Sequence, residues 1–154
     1  MKNIISFKLF ELVSYEFYLE DEWIPKGKSR PDSVDYKFTD GSNNFVVQFR
    51  FNSDGSSVRD YFVVNNNSPY GLVNGNPFRI IGTVTKITID FIKKYLPESI
   101  ELIHKRDKTE YGEHPQRAML NKRILERELK NQCPDYSYKL VKKHGTSVSI
   151  IRKN

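Results

Sequence analysis

The chain has 154 residues, of which 38% are hydrophobic and 29% charged, and its formal net charge is +6. This length fits one ordinary domain around one core, and the apolar share excludes a disordered chain. The single cysteine, Cys133, excludes an intrachain disulfide, and no apolar run approaches the roughly 20 residues of a membrane span. The expected setting is therefore the cytoplasm, without membrane contact.

The first half is expected to form strands and turns, because its aromatic and β-branched residues suit a pleated, half-buried surface. Phe7 to Leu12 continues an extended pattern that bends near Ser14, after which Tyr15, Phe17 and Leu19 alternate with polar residues. Pro25, Gly27, Ser29, Pro31 and Asp32 mark a loop, made basic by Lys26, Lys28 and Arg30. Val34 to Phe38 alternates cleanly, and Asp40-Gly41 is a turn signal. Phe45, Val47, Phe49 and Phe51 then share one face of a strong strand. Asp54-Gly55 predicts a hairpin, with Val58 to Val64 as the return strand.

Residues 65–76 read as a loop rich in Asn and Gly. Asn76 is a good helix N-cap, and Pro77 suits the first helical position. A helix is expected from about Pro77 to Leu96. Its inward stripe is Phe78, Ile81, Val84, Thr88 and Phe91, widened by Ile80, Ile87 and Ile92, and Pro97 stops it. Ile100 to Ile103 reads as a short strand, followed by a polar loop over 104–115. A second helix runs from about Gln116 to Asn131 with Ala118, Leu125 and Leu129 inward. Tyr136–Lys142 and Ser147–Arg152 form a last hairpin across His144-Gly145.

The expected fold is α+β: a mixed, largely antiparallel sheet with two helices, in the order β-β-β-β-α-β-α-β-β. It forms a single domain over 1–154, divided into a meander (1–64), a loop (65–76) and a helix-strand-helix-hairpin unit (77–154). The helix between the fourth and fifth strands allows a right-handed crossover and one parallel pair.

From about residue 34 to 152 this order resembles the GNAT acetyltransferase fold. In that family a glycine-rich turn and the following helix N-terminus hold the pyrophosphate of coenzyme A, since unpaired amides and the helix dipole favour an anion. The matching segment here is Tyr70-Gly71-Leu72-Val73-Asn74-Gly75-Asn76-Pro77-Phe78-Arg79. The resemblance thus implies acetyl-CoA as cofactor, with Gly71, Asn74, Gly75, Asn76 and Arg79 around it and Asp60 as a carboxylate base. The segment lacks the family spacing, Pro77 removes an amide, and Lys122 stands where the family often has a tyrosine acid. The long-helix opening at Gly75–Arg79 and the Arg117-x-x-Leu-x-x-Arg123 pattern are loosely similar to small phage proteins. That likeness implies a viral origin and the host cytoplasm.

No metal-binding spacing and no P-loop motif occurs in the sequence. His104, Glu110, Glu113 and His114 fall in or beside one polar loop, where an acid–base pair and a solvated surface are both open readings. Lys105, Arg106, Lys122, Arg123, Arg127, Lys142 and Lys143 would form a footprint for nucleic acid or another acidic partner if they converged. Trp23, Tyr61 and Tyr70 are interface anchors or strand-end packing. With the family's motifs degraded and basic and aromatic residues plentiful, the leading expectation is a small non-enzymatic binding or assembly protein without cofactor, engaging an acidic partner or other proteins. The alternatives are an acyl-CoA-dependent N-acyltransferase and a nucleic-acid-binding protein.

Overall fold

The computed structural model describes residues 14–65, 77–104 and 116–154. The fold is α+β, with nine elements in the expected order: β1 (Phe17–Trp23), β2 (Ser33–Thr39), β3 (Asn44–Phe51), β4 (Ser57–Val64), α1 (Pro77–Tyr95), β5 (Ser99–His104), α2 (Gln116–Gln132), β6 (Tyr136–Lys143) and β7 (Thr146–Lys153). They build a seven-stranded sheet in the order β1-β2-β3-β4-β5-β7-β6. Phe7 to Leu12 and the segments 66–76 and 105–115, expected as loops, lie outside the described residues.

A nine-residue loop over 24–32 and short turns over 40–43 and 52–56 join β1 to β4 into an antiparallel meander. Gly55 shows why glycine is needed in one of them. Its φ is +72°, and a Cβ there would meet the Arg30 guanidinium, which donates to the Asp54 carbonyl at 3.0 Å. The last hairpin turns through His144 and Gly145, both with positive φ, as a two-residue turn demands. β1 carries a bulge between Leu19 and Asp21.

The crossover through α1 makes β4 and β5 the parallel pair. The chain then returns so that β7 lies between β5 and β6. Register places Val34, Tyr36 and Phe38 of β2 on one face with Phe45, Val47, Phe49 and Phe51 of β3. The same face continues through Val58 and Val64 to Ile100 and Ile151. Both helices pack on this face: Phe91 of α1 stacks on Phe49 at 3.9 Å, and Leu125 and Leu129 of α2 join the same cluster beside Tyr136 and Ile151.

α1 departs from the expected stripe at its start. Phe78 is 65% exposed, while Ile80, Val84, Ile87 and Phe91 pack on the core and Thr83, Thr85 and Thr88 are buried. Thr83 and Thr88 hide their hydroxyls by donating to the carbonyls of Arg79 and Val84, at 2.7 and 2.9 Å. The apolar pattern therefore shifts around the helix by less than a turn, leaving the first-turn aromatic outside. α1 ends at Leu96, whose amide donates to the Ile92 carbonyl and whose φ is +48°. The buried Tyr136 hydroxyl donates to the Pro97 carbonyl at 2.6 Å, tying the start of β6 to this corner.

Candidate functional site

Two features of the sheet carry chemistry, one on each face. The first lies on the helix-covered face, where the parallel ladder ends. β4 and β5 pair from Ser57–Ser99 to Asp60–Leu102 and no further, although β4 runs on to Val64 and β5 to His104. In open sheets, ligands bind beyond the carboxyl ends of such parallel strands. Asp60 sits at this point. Alternation with Val58, Phe62 and Val64 turns it to the covered face, where its Oδ1 is shielded from solvent without a hydrogen-bond partner. Burial raises its pKa to about 7.

A polar row continues from there across the same face. The His104 ring Nε2 lies 2.6 Å from the Ser149 hydroxyl. The Tyr138 hydroxyl shares a hydrogen bond with the same Ser149 oxygen. Burial is the main cause that pushes the Tyr138 phenol up to about 12; Glu126 adds to it and the Ser149 bond opposes it. β5, β7 and β6 thus each contribute one group to a chain of hydroxyls and imidazole. Tyr36 makes a separate pair, donating to Asp90 Oδ2 at 2.8 Å; burial first, and then Asp90, raise its pKa.

The second feature is the opposite face, which neither helix covers. One row of it runs Asp21, Asp35, Gln48 and Tyr61 across β1 to β4, then Ile103, Val148 and Val141 across β5, β7 and β6. A neighbouring row runs Trp23, Ser33, Arg50 and Arg59, then Glu101, Ile150 and Lys139. Trp23 is 57% exposed and Tyr61 is 38% exposed. Neither is the strand-end packing residue that its position in the sequence allows. Arg50 lies over the Tyr61 ring at 5.0 Å and donates to Gln48 at 2.6 Å. Glu20, carried on the bulge, pairs with Lys37 at 2.6 Å, and Glu101 pairs with Lys143 at 2.8 Å.

Of the residues expected to hold acetyl-CoA, Gly71, Asn74, Gly75 and Asn76 lie outside the described residues. Arg79 lies over the Tyr15 ring at 4.0 Å. Among the expected basic residues, Lys105 and Arg106 are also outside. Arg123 and Arg127, four apart on α2, share one side of that helix, and Arg127 pairs with Glu128 at 3.4 Å. Lys122 is half-buried. Lys142 and Lys143 alternate to opposite faces of β6, and Lys143 is engaged with Glu101 on the face away from α2. These cations are therefore divided between the two sides of the sheet. Cys133 is buried, and burial raises its thiol pKa. No group of three or more metal-ligating side chains occurs among the described residues, and none of their helices is long and apolar enough to cross a membrane.

Comparison with known proteins found no family model that matches the chain, and no curated protein or solved structure significantly similar to it.

Proposed function

We propose that this chain is a small non-enzymatic binding protein, acting in the cytoplasm, that engages a protein partner through the uncovered face of its sheet. One observation carries the reading: both helices pack on the same face, so neither covers the opposite one, on which Trp23, Tyr18 and Tyr61 are exposed and Arg50 lies over the Tyr61 ring. Aromatic residues and arginine are the side chains that concentrate binding energy at protein interfaces. Nucleic acid fits less well, because the cations are divided between the sheet faces and carboxylates share the uncovered one.

Trp23 supplies the test, since it is the single tryptophan and lies on this face. Association through the face should shift its emission to shorter wavelength and reduce quenching by acrylamide. Association that leaves Trp23 as accessible as before would place the contact elsewhere and end this reading.

A second reading is favoured by Asp60 at the end of the parallel ladder: an acyl-CoA-dependent N-acyltransferase in which that carboxylate accepts the amine proton. A half-buried carboxyl whose shielded oxygen lifts its pKa to about 7 suits a general base. Acetyl-CoA at 100 times its dissociation constant should then stabilise the protein by about 2.7 kcal/mol, a shift of several degrees in the thermal melt. An unchanged melt removes this alternative.

A further inference from the structure

The two edge strands of the sheet carry opposite charge. β1 bears Glu20, Asp21 and Glu22 and no cation, while β6 bears Lys139, Lys142 and Lys143 and no anion. Among the described residues, no strand pairs with the outer side of either one. An open edge presents unpaired amides and carbonyls, which are a template for another strand. Strand direction adds a second constraint. Directions alternate from β1 to β4, β5 runs parallel to β4, and β7 and β6 alternate again. β1 and β6 therefore point in opposite directions.

We infer that the chain assembles head to tail, the β6 edge of one copy pairing antiparallel with the β1 edge of the next. This contact is separate from the uncovered face of the sheet. A copy set alongside another without being turned over brings these two edges together, with the helix-covered faces on the same side. Charge disfavours the symmetric alternatives: β1 against β1 sets carboxylates on carboxylates, and β6 against β6 sets lysines on lysines. Facing residues must also share a side of the sheet. With Glu20 as the extra residue of the bulge, the register that runs the length of both strands sets Asp21 against Lys139 and Leu19 against Leu140. It also sets Tyr18 against Val141, and it brings Glu16, just before β1, to Lys143. Asp21 and Lys139 are both exposed. Seven strands at about 4.8 Å advance each copy by about 34 Å, which leaves room for two helices that need about 10 Å each. A twist of about 20–25° per strand turns each copy by roughly 140–175° as it advances. Such a contact does not close on itself, so it gives an open chain of copies and not a ring.

Sedimentation from about 10 μM to about 1 mM is expected to show masses in multiples of the 18.1 kDa chain that grow past two copies. Asp21→Lys and Lys139→Glu should each weaken association by about tenfold or more. An equal mixture of the two variants matches acid to base at every junction, once as in the parent and once with the charges exchanged. Assembly of the mixture should therefore return to within about threefold of the parent. Circular dichroism of each variant confirms that the fold is kept. A change in Trp23 emission that survives Asp21→Lys belongs to the uncovered face and not to this edge. A parent chain that stays at one mass, or stops at two copies, overturns the inference, and that result needs no variant to fold. Folded variants that assemble like the parent, or a mixture that stays apart, overturn it as well.

Discussion

Asp60 occupies the polar step in the alternation Val58, Asp60, Phe62, Val64. A carboxylate inside an apolar alternation was a readable signal, since period-two patterning puts it on the buried face. What the pattern lacked was the neighbour: the end of the parallel ladder comes from β5, which lies some forty residues further on. His104, Ser149 and Tyr138 were harder still, because their hydrogen bonds join three strands whose order depends on the whole sheet. The shift at Asp60 has a consequence for stability. An unfolded aspartate titrates near 3.9, whereas the folded one titrates near 7. Between these values the folded state holds more protons than the unfolded state, so its contribution is full below about pH 4 and lost as pH rises through about 7. The steepest decline is roughly 1.4 kcal/mol per pH unit. Asp60→Asn is expected to flatten that decline and to be more stable than the parent near pH 8. Urea unfolding of both chains near pH 5 and pH 8 checks this; an equal pH dependence in the two would contradict it.

At the scale of elements, α1 shows what periodicity can and cannot locate. Its extent was legible from Pro77 and Pro97 and from the spacing of Val84, Ile87 and Phe91. Its exact facing was not: Thr88 is buried where the stripe put it, but Thr83 and Thr85 are buried as well, Thr83 by donating its hydroxyl to the helix's own Arg79 carbonyl, whereas Phe78, expected inside, is outside. The helix stop contains a second hidden cost. Leu96 adopts a left-handed conformation, with φ of +48°, and its side chain is 59% exposed, so it pays for the turn without packing in return. Leu96→Gly is expected to stabilise the protein by about 0.5–1 kcal/mol, the relief of strain exceeding the added freedom of the unfolded chain. A higher midpoint with an unchanged slope in denaturant unfolding is the expected result; a lower midpoint would show that the exposed leucine packs usefully.

For the whole molecule, element order was legible and arrangement was only partly so. The hairpin turns at Asp54-Gly55 and His144-Gly145 declared themselves, and the helix after β4 announced a parallel neighbour. That both helices would cover one face could not be read, since each amphipathic stripe specifies that a side is buried and not which side of the sheet receives it. The exposure of Trp23 and Tyr61 follows from that choice, and so does the surface through which we propose that the protein works.

The place of β7 has a further consequence, in time rather than in space. It is the later strand of its hairpin yet the inner one, seated between β5 and β6. The meander of β1 to β4 needs only near neighbours in sequence, so it can assemble while the rest of the chain is still emerging from the ribosome. β5 has no such option on its far side. Until Thr146 to Lys153 has been synthesised, the strand that ends at His104 keeps one row of amides and carbonyls open. During its making, the protein can therefore pass through a stage with a finished half, an unfinished half and an exposed seam between them.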